Sequence, residues 1–324
     1  MSGTLLNSSA VVLGFALLSP VLWSYLVFGV VLVVGLVAMF LRGDWQKARG
    51  FNRLILLGPI FYAAPVAAFG SEHFTVTKVI ASIIPAWMPW HLFWVYFVGA
   101  CFIAGGLSLV TRIQARLAAS LFSMTFFLFV AMMHFPAWVR HPENRFALAF
   151  VFRELSFSAG ALALAVSLTN SRERTTEIAR TIARYFIAVA VLFFSYEQFM
   201  HPDHVPGIPL ERVTPEWIWG YVIWTYLVAA VYAAAGAMLL VGKKTRAAAM
   251  WIGCAVLFVE LVVYVPIAVV GRANLESFNY MADTLMFCGS ILLLAGAMPK
   301  DDEHQISGKI ESHTRGDRLS QAAE

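Results

Sequence analysis

Two carboxylates stand out in a chain that is poor in charge. Glu72 is followed by His73, and Glu197, at a matching place 125 residues later, is followed by Gln198. Each closes a long apolar run, where a carboxylate is costly unless it is paired, protonated or turned to water. A ligand, a proton or a cation would meet that need, and so would a role in ordering the adjoining loop. His73 and Gln198 beside them can both donate and accept hydrogen bonds. Glu260 lies deeper, with Tyr264 one turn on and within bonding reach. That acid reads either as a proton- or ligand-bonding group or as a neutral lock between two helices. Arg153 and Asp283, 130 residues apart, are opposite charges at matching places. Pairing them would lower the cost of burying both, so a structural salt bridge is the stronger reading. His73 and His134 are the pair best placed to ligate haem from two sides, within one half of the chain only. His201 and His204, with Asp203 between them, could hold zinc in a loop, although His-Pro-Asp-His is also a good turn sequence.

The elements that carry these residues are membrane spans. Of 324 residues 60% are apolar and only 13% charged, and the mean hydropathy is +0.74. Soluble domains run at about 45–50% apolar and about 25% charged, so this is an integral membrane protein whose partner is the lipid bilayer. The net charge of +4 resides in short loops and implies no nucleic-acid partner. Cys101, Cys254 and Cys288 are far apart with no CxxC, which argues against a thiol relay or a cysteine zinc site. Phosphate-binding loops, HExxH and the nucleophile elbow are missing too. The apolar run from Val11 to Leu41 is too long for a secretory leader, and Pro20 should divide an interfacial piece over residues 11–19 from a span over about residues 20–41. Eight further runs follow, giving nine helices. Arg42, Lys47, Arg49, Arg53, Arg112, Arg116, Arg180, Arg184, Lys243, Lys244 and Arg246 fall in loops on one side, against Lys78, Arg140, Arg145, Arg212 and Arg272 on the other. By the positive-inside rule the N-terminus is outside and the C-terminus inside, in a cytoplasmic membrane of bacterial type. The polar tail over residues 299–324 should be disordered and cytoplasmic.

The chain also contains itself twice. At an offset of 130, Pro85, Trp87, Trp94, Tyr96, Gly106, Arg116, Pro136 and Asn144 recur as Pro215, Trp217, Trp224, Tyr226, Gly236, Arg246, Pro266 and Asn274. Before that stretch the offset is 125, so the second copy carries five extra residues in the following loop. Each copy has four helices, an even number, and the copies are therefore parallel repeats. The expected organisation is an N-terminal helix with its basic loop over residues 1–53, repeats over residues 54–170 and 180–298, and the tail. The fold class is all-α, a polytopic membrane bundle. Trp87, Trp90, Trp138, Trp217 and Trp219 fit an aromatic belt at the headgroups.

The run YEQFMHPDHVPGIPLERVTPEW from Tyr196 to Trp217, the turn GKKTRAAA and the segment NYMADTLMFCG from Asn279 to Gly289 resemble the DoxX-like membrane proteins, four-helix units found singly or in tandem. The resemblance covers about residues 55–298, with the second copy the closer match. The family takes its name from a subunit of a thiosulfate:quinone oxidoreductase, which implies a link to quinone chemistry and to a redox partner subunit. On that basis the expected function is a redox-associated subunit holding a quinone or similar lipid-soluble molecule near the outer face, with haem the weaker candidate cofactor. Glu72, His73, His134, Glu197, Gln198, Glu260 and Tyr264 would supply the hydrogen bonds. The rival readings are a small-molecule carrier on parallel repeats and a non-catalytic lipid-binding subunit.

Overall fold

The computed structural model describes residues 19–169, 173–208 and 212–299. Apart from Pro299 and Ser19, the expected tail and the expected interfacial segment before Pro20 lie outside the described residues.

Nine helices among the described residues are long and apolar enough to cross a bilayer. The first is α1 (Pro20–Leu41), which begins on its proline, as a missing N–H allows at a helix start. A single turn α2 (Asp44–Lys47) leads to α3 (Asn52–Thr75), the short α4 (Thr77–Ile83) and α5 (His91–Thr111). The next span begins as α6 (Ala115–Phe129), passes through a π-helical turn at Val130–His134 and ends as α7 (Phe135–Arg140). After α8 (Arg145–Ser167) the series repeats as α9 (Arg174–Met200), α10 (Tyr221–Val241), α11 (Thr245–Val259), a second π-helical turn at Glu260–Tyr264, α12 (Val265–Val270) and α13 (Leu275–Ala297).

The duplication is written into the backbone. From α5 onward every helix boundary in the first repeat recurs 130 residues later, the π-turns included. The left-handed residues recur as well: Trp90, Arg112 and Gln114 have their equivalents in Gly220, Gly242 and Lys244. Asn144 and Asn274 both cap their helices through the side-chain oxygen, to Ala147 N at 3.0 Å and Glu276 N at 2.8 Å. The molecule is thus two parallel four-helix repeats with α1 added to the outside of α3.

The last helix of each repeat lies at the centre. In α13 and α8, 89% and 78% of the apolar window is buried, against 22% in α1, so the first two form the axis and α1 faces lipid. Positions related by 130 meet there: a methyl group added to Gly160 would lie 2.5 Å from the Cα of Ser290, and Arg153 pairs with Asp283. A residue touches its own equivalent only beside the axis relating two copies, so these contacts locate the pseudo-two-fold. Small residues make the close approach possible, which is how helices associate where lipid removes the hydrophobic drive. Gly289 likewise lets α13 cross α3, since a Cβ there would lie 2.6 Å from Tyr62 N.

Arginines close one end of the bundle by capping helix C-termini. Arg42 donates to Val110 O at 3.2 Å, Arg184 to Leu239 O at 2.9 Å, and Arg246 to Ala295 O at 3.1 Å. The other end carries the histidines of the described residues and the exposed tryptophans Trp87, Trp90, Trp217 and Trp219. We call these the basic and the aromatic end.

Candidate functional site

A cavity of about 850 Å³ opens at the aromatic end, between the helices of the first repeat and the start of α13. Its walls are largely apolar, with Phe102, Phe126 and Phe129, Met124, Met132 and Met133, and Ile80 and Ile83 of α4 among the lining residues. His73, His134, Arg153, Glu154, Asn279 and Asp283 add polar groups to this lining. Such a cavity, apolar with a few convergent polar groups, suits a drug-sized, lipid-soluble molecule.

The π-turn helps to present His134. Pro136 has no N–H to give, and its ring crowds the carbonyl four residues back, so the helix loses a bond and is strained there. The chain bonds Phe135 N to Val130 O, five residues back, and the wider turn absorbs the proline. His134 then lies flat on Phe150, ring centroids 5.4 Å apart. His73, on α3, gives one ring nitrogen to its own helix: Nδ1 is 2.8 Å from Phe69 O.

Beside the histidines, Arg153 bridges two carboxylates, donating to Asp283 Oδ2 at 2.5 Å and to Glu154 Oε1 at 3.1 Å. All three side chains are buried, and Phe150 lies under the guanidinium at 4.1 Å. Not every polar atom here is satisfied. Arg153 Nε, Glu154 Oε2, Asn279 Oδ1 and Trp94 Nε1 are buried without a partner, and all four residues line the cavity. Unpaired buried donors and acceptors cost about 1–3 kcal/mol each, so this polar cluster is held at a cost beside the cavity.

The matching space in the second repeat is filled by the chain. The loop after α9, which holds the five extra residues, turns inward so that Val205 and Ile208 are fully buried. Its Pro206–Gly207 peptide is gripped from both sides: Tyr264 Oη donates to Pro206 O at 2.8 Å, and Gly207 N donates to Gln198 Oε1 at 3.1 Å. A methyl at Gly207 would meet Val259, Tyr232 and Tyr264. Gln198, Tyr264, Val259 and Tyr232 are the equivalents of His73, His134, Phe129 and Phe102, and all four of those line the first cavity. The second repeat carries the same pocket, occupied by its own backbone.

Several expectations are corrected by this arrangement. Glu72 and Glu197 do not line the cavity; each ties the first helix of one repeat to the last helix of the other. Glu72 accepts from Ser24 Oγ at 3.2 Å and Asn279 Nδ2 at 3.3 Å, and Glu197 pairs with Arg145 Nε at 3.3 Å. Gln198 and Tyr264 serve the loop and face no open space. Tyr264 is not bonded to Glu260, because its hydroxyl is taken by the loop carbonyls, and Glu260 Oε2 is left unpartnered. His201 and His204 do not form a zinc site: no group of three ligating side chains exists among the described residues, and His204 Nδ1 is 3.1 Å from Asp203 Oδ1. Asp203 is held below the usual carboxylate range, burial working against this and the hydrogen bond from His204 prevailing. The sequence reading missed Asn279 as a lining residue, along with the phenylalanine and methionine walls. The unequal loop lengths of the repeats were the available signal. No family model, curated protein or solved structure matches the chain.

Proposed function

We propose that this integral membrane protein holds a quinone-type, lipid-soluble molecule in the first-repeat cavity and presents it to a redox partner subunit. The observation that carries the reading is the contrast between the repeats: the pocket that one copy fills with its own peptide is an open cavity in the other, with His73, His134, Arg153 and Glu154 among its lining residues. The Phe and Met walls suit a flat ring, His73 and His134 suit polar atoms on that ring, and the wall residue Glu154 suits exchange of a proton. The resemblance to the DoxX-like proteins supports the same ligand class. Basic loops at the opposite end support an orientation with the N-terminus outside, so that the cavity faces outward. A carrier is less well supported, because tight packing of Gly160 on Ser290 and of Gly289 on α3 leaves little room toward the basic end.

The test is equilibrium binding of duroquinone and durohydroquinone to the purified protein in nanodiscs. Saturable binding of one equivalent is expected, abolished by Met132→Trp, which fills the cavity, with the melting temperature unchanged. Failure of both forms to saturate would overturn the reading.

A further inference from the structure

The polarity of the pocket distinguishes between ligands. In the second repeat Gln198 Nε2 donates to Phe194 O at 3.0 Å, four residues back on the same helix, and this leaves Oε1 as the atom facing the loop. His73 repeats the arrangement on the equivalent phenylalanine, its Nδ1 lying 2.8 Å from Phe69 O. A carbonyl oxygen can only accept, so the proton of the neutral imidazole is on Nδ1 and the free Nε2 is an acceptor. Both repeats therefore offer an acceptor at this position. What meets it in the second repeat is the N–H of Gly207, and what meets the donor Tyr264 on the far side is the C=O of the same trans peptide. The occupant of that copy is thus a flat group with a donor at one end and an acceptor at the other.

We infer that the first-repeat cavity selects a flat head group bearing an O–H or N–H donor directed at His73 Nε2, with an acceptor at its opposite end toward His134, and so prefers a hydroquinone to the matching quinone. This rests on the quinone-type reading above and narrows it. A hydroquinone carries a hydroxyl at each end of the ring, and each hydroxyl can donate or accept. A quinone offers carbonyl oxygens alone, and one of them would face the lone pair of His73 Nε2. The far end is supplied with a donor by the ring N–H of His134, which lines the cavity at the place of the donor Tyr264. Histidine at 134 is also shorter than the tyrosine it matches, which leaves width for a ring in place of a peptide group.

The experiment compares the affinities of durohydroquinone and duroquinone in nanodiscs under anaerobic conditions, for the native protein, His73→Gln and His73→Leu. The native protein should bind the reduced form at least about tenfold more tightly, the size expected when one buried hydrogen bond is replaced by two facing acceptors. His73→Gln, which copies the second repeat, should keep the preference, and His73→Leu should bring the two affinities together. Equal affinities in the native protein, or a preference that survives in a folded His73→Leu, would overturn the inference and leave the quinone-type reading intact. Absence of saturable binding of either form would overturn both.

Discussion

Arg153 holds two carboxylates at once, at a level of the bundle where the two repeats touch through equivalent positions. One guanidinium cannot neutralise Asp283 and Glu154 together, so the buried group carries an excess negative charge unless a proton or a ligand donor joins it, and Glu154 Oε2 has no other partner. Removing Arg153 leaves two buried carboxylates uncompensated, so Arg153→Gln should destabilise by about 3 kcal/mol, whereas Asp283→Asn, which leaves Arg153 paired with Glu154, should cost less. Because the two positions are related by the pseudo-two-fold, the exchange Arg153→Asp with Asp283→Arg should restore most of the loss. A double variant no more stable than the singles, measured by thermal unfolding in detergent, would show that the pair does not act as a unit. This pairing was legible in the sequence, since an offset of 130 brings opposite charges to one place. The partners of Glu72 were not. Ser24 and Asn279 reach it from an added helix and from the other repeat, and spacing within one chain segment says nothing about which helices become neighbours.

At the scale of elements, the two π-turns are the least regular parts of the spans, and each ends two residues before a proline, Pro136 or Pro266. An extra residue in a turn rotates everything beyond it by about 100° relative to a plain helix, so the turn helps to set where His134 points. Pro136→Ala restores the missing donor and lets the span revert to a regular helix. The substitution should leave the melting temperature unchanged or raised, a proline inside a helix costing about 3 kcal/mol, while weakening hydroquinone binding at least about tenfold as His134 leaves the wall. Undiminished binding in this variant would show that packing on Phe150 alone holds the histidine. The spans were readable from hydropathy and the prolines from composition. The π-turns were not, because a single added backbone bond leaves hydropathy unaltered.

For the molecule as a whole, duplication has produced one open pocket and one closed one. The orientation assigned to the bundle can be checked directly: a cysteine replacing Asp203 should react with an impermeant maleimide in intact cells, and one replacing Asp44 should react only after lysis. Reversed labelling would turn the cavity to the inner face. The closed pocket carries the stronger prediction. In the first repeat the connection after α3 runs through α4 and leaves the interior open, whereas the longer connection after α9 drops Val205, Pro206, Gly207 and Ile208 into it. Deleting residues 204–208 shortens that loop to the length in the first copy and withdraws the peptide from between Gln198 and Tyr264. Those two side chains would then face an empty space with their polarity unchanged, an acceptor opposite a donor. The variant should unfold at a lower temperature, since the burial of Val205 and Ile208 is lost, and it should bind two equivalents of durohydroquinone where the native protein binds one. The second equivalent should vanish on adding Tyr264→Phe, which removes the donor and little else. A folded deletion variant that still binds one equivalent would mean that the second repeat closes up without its loop, and that the likeness of the two pockets lies in their residues but not in the space between them.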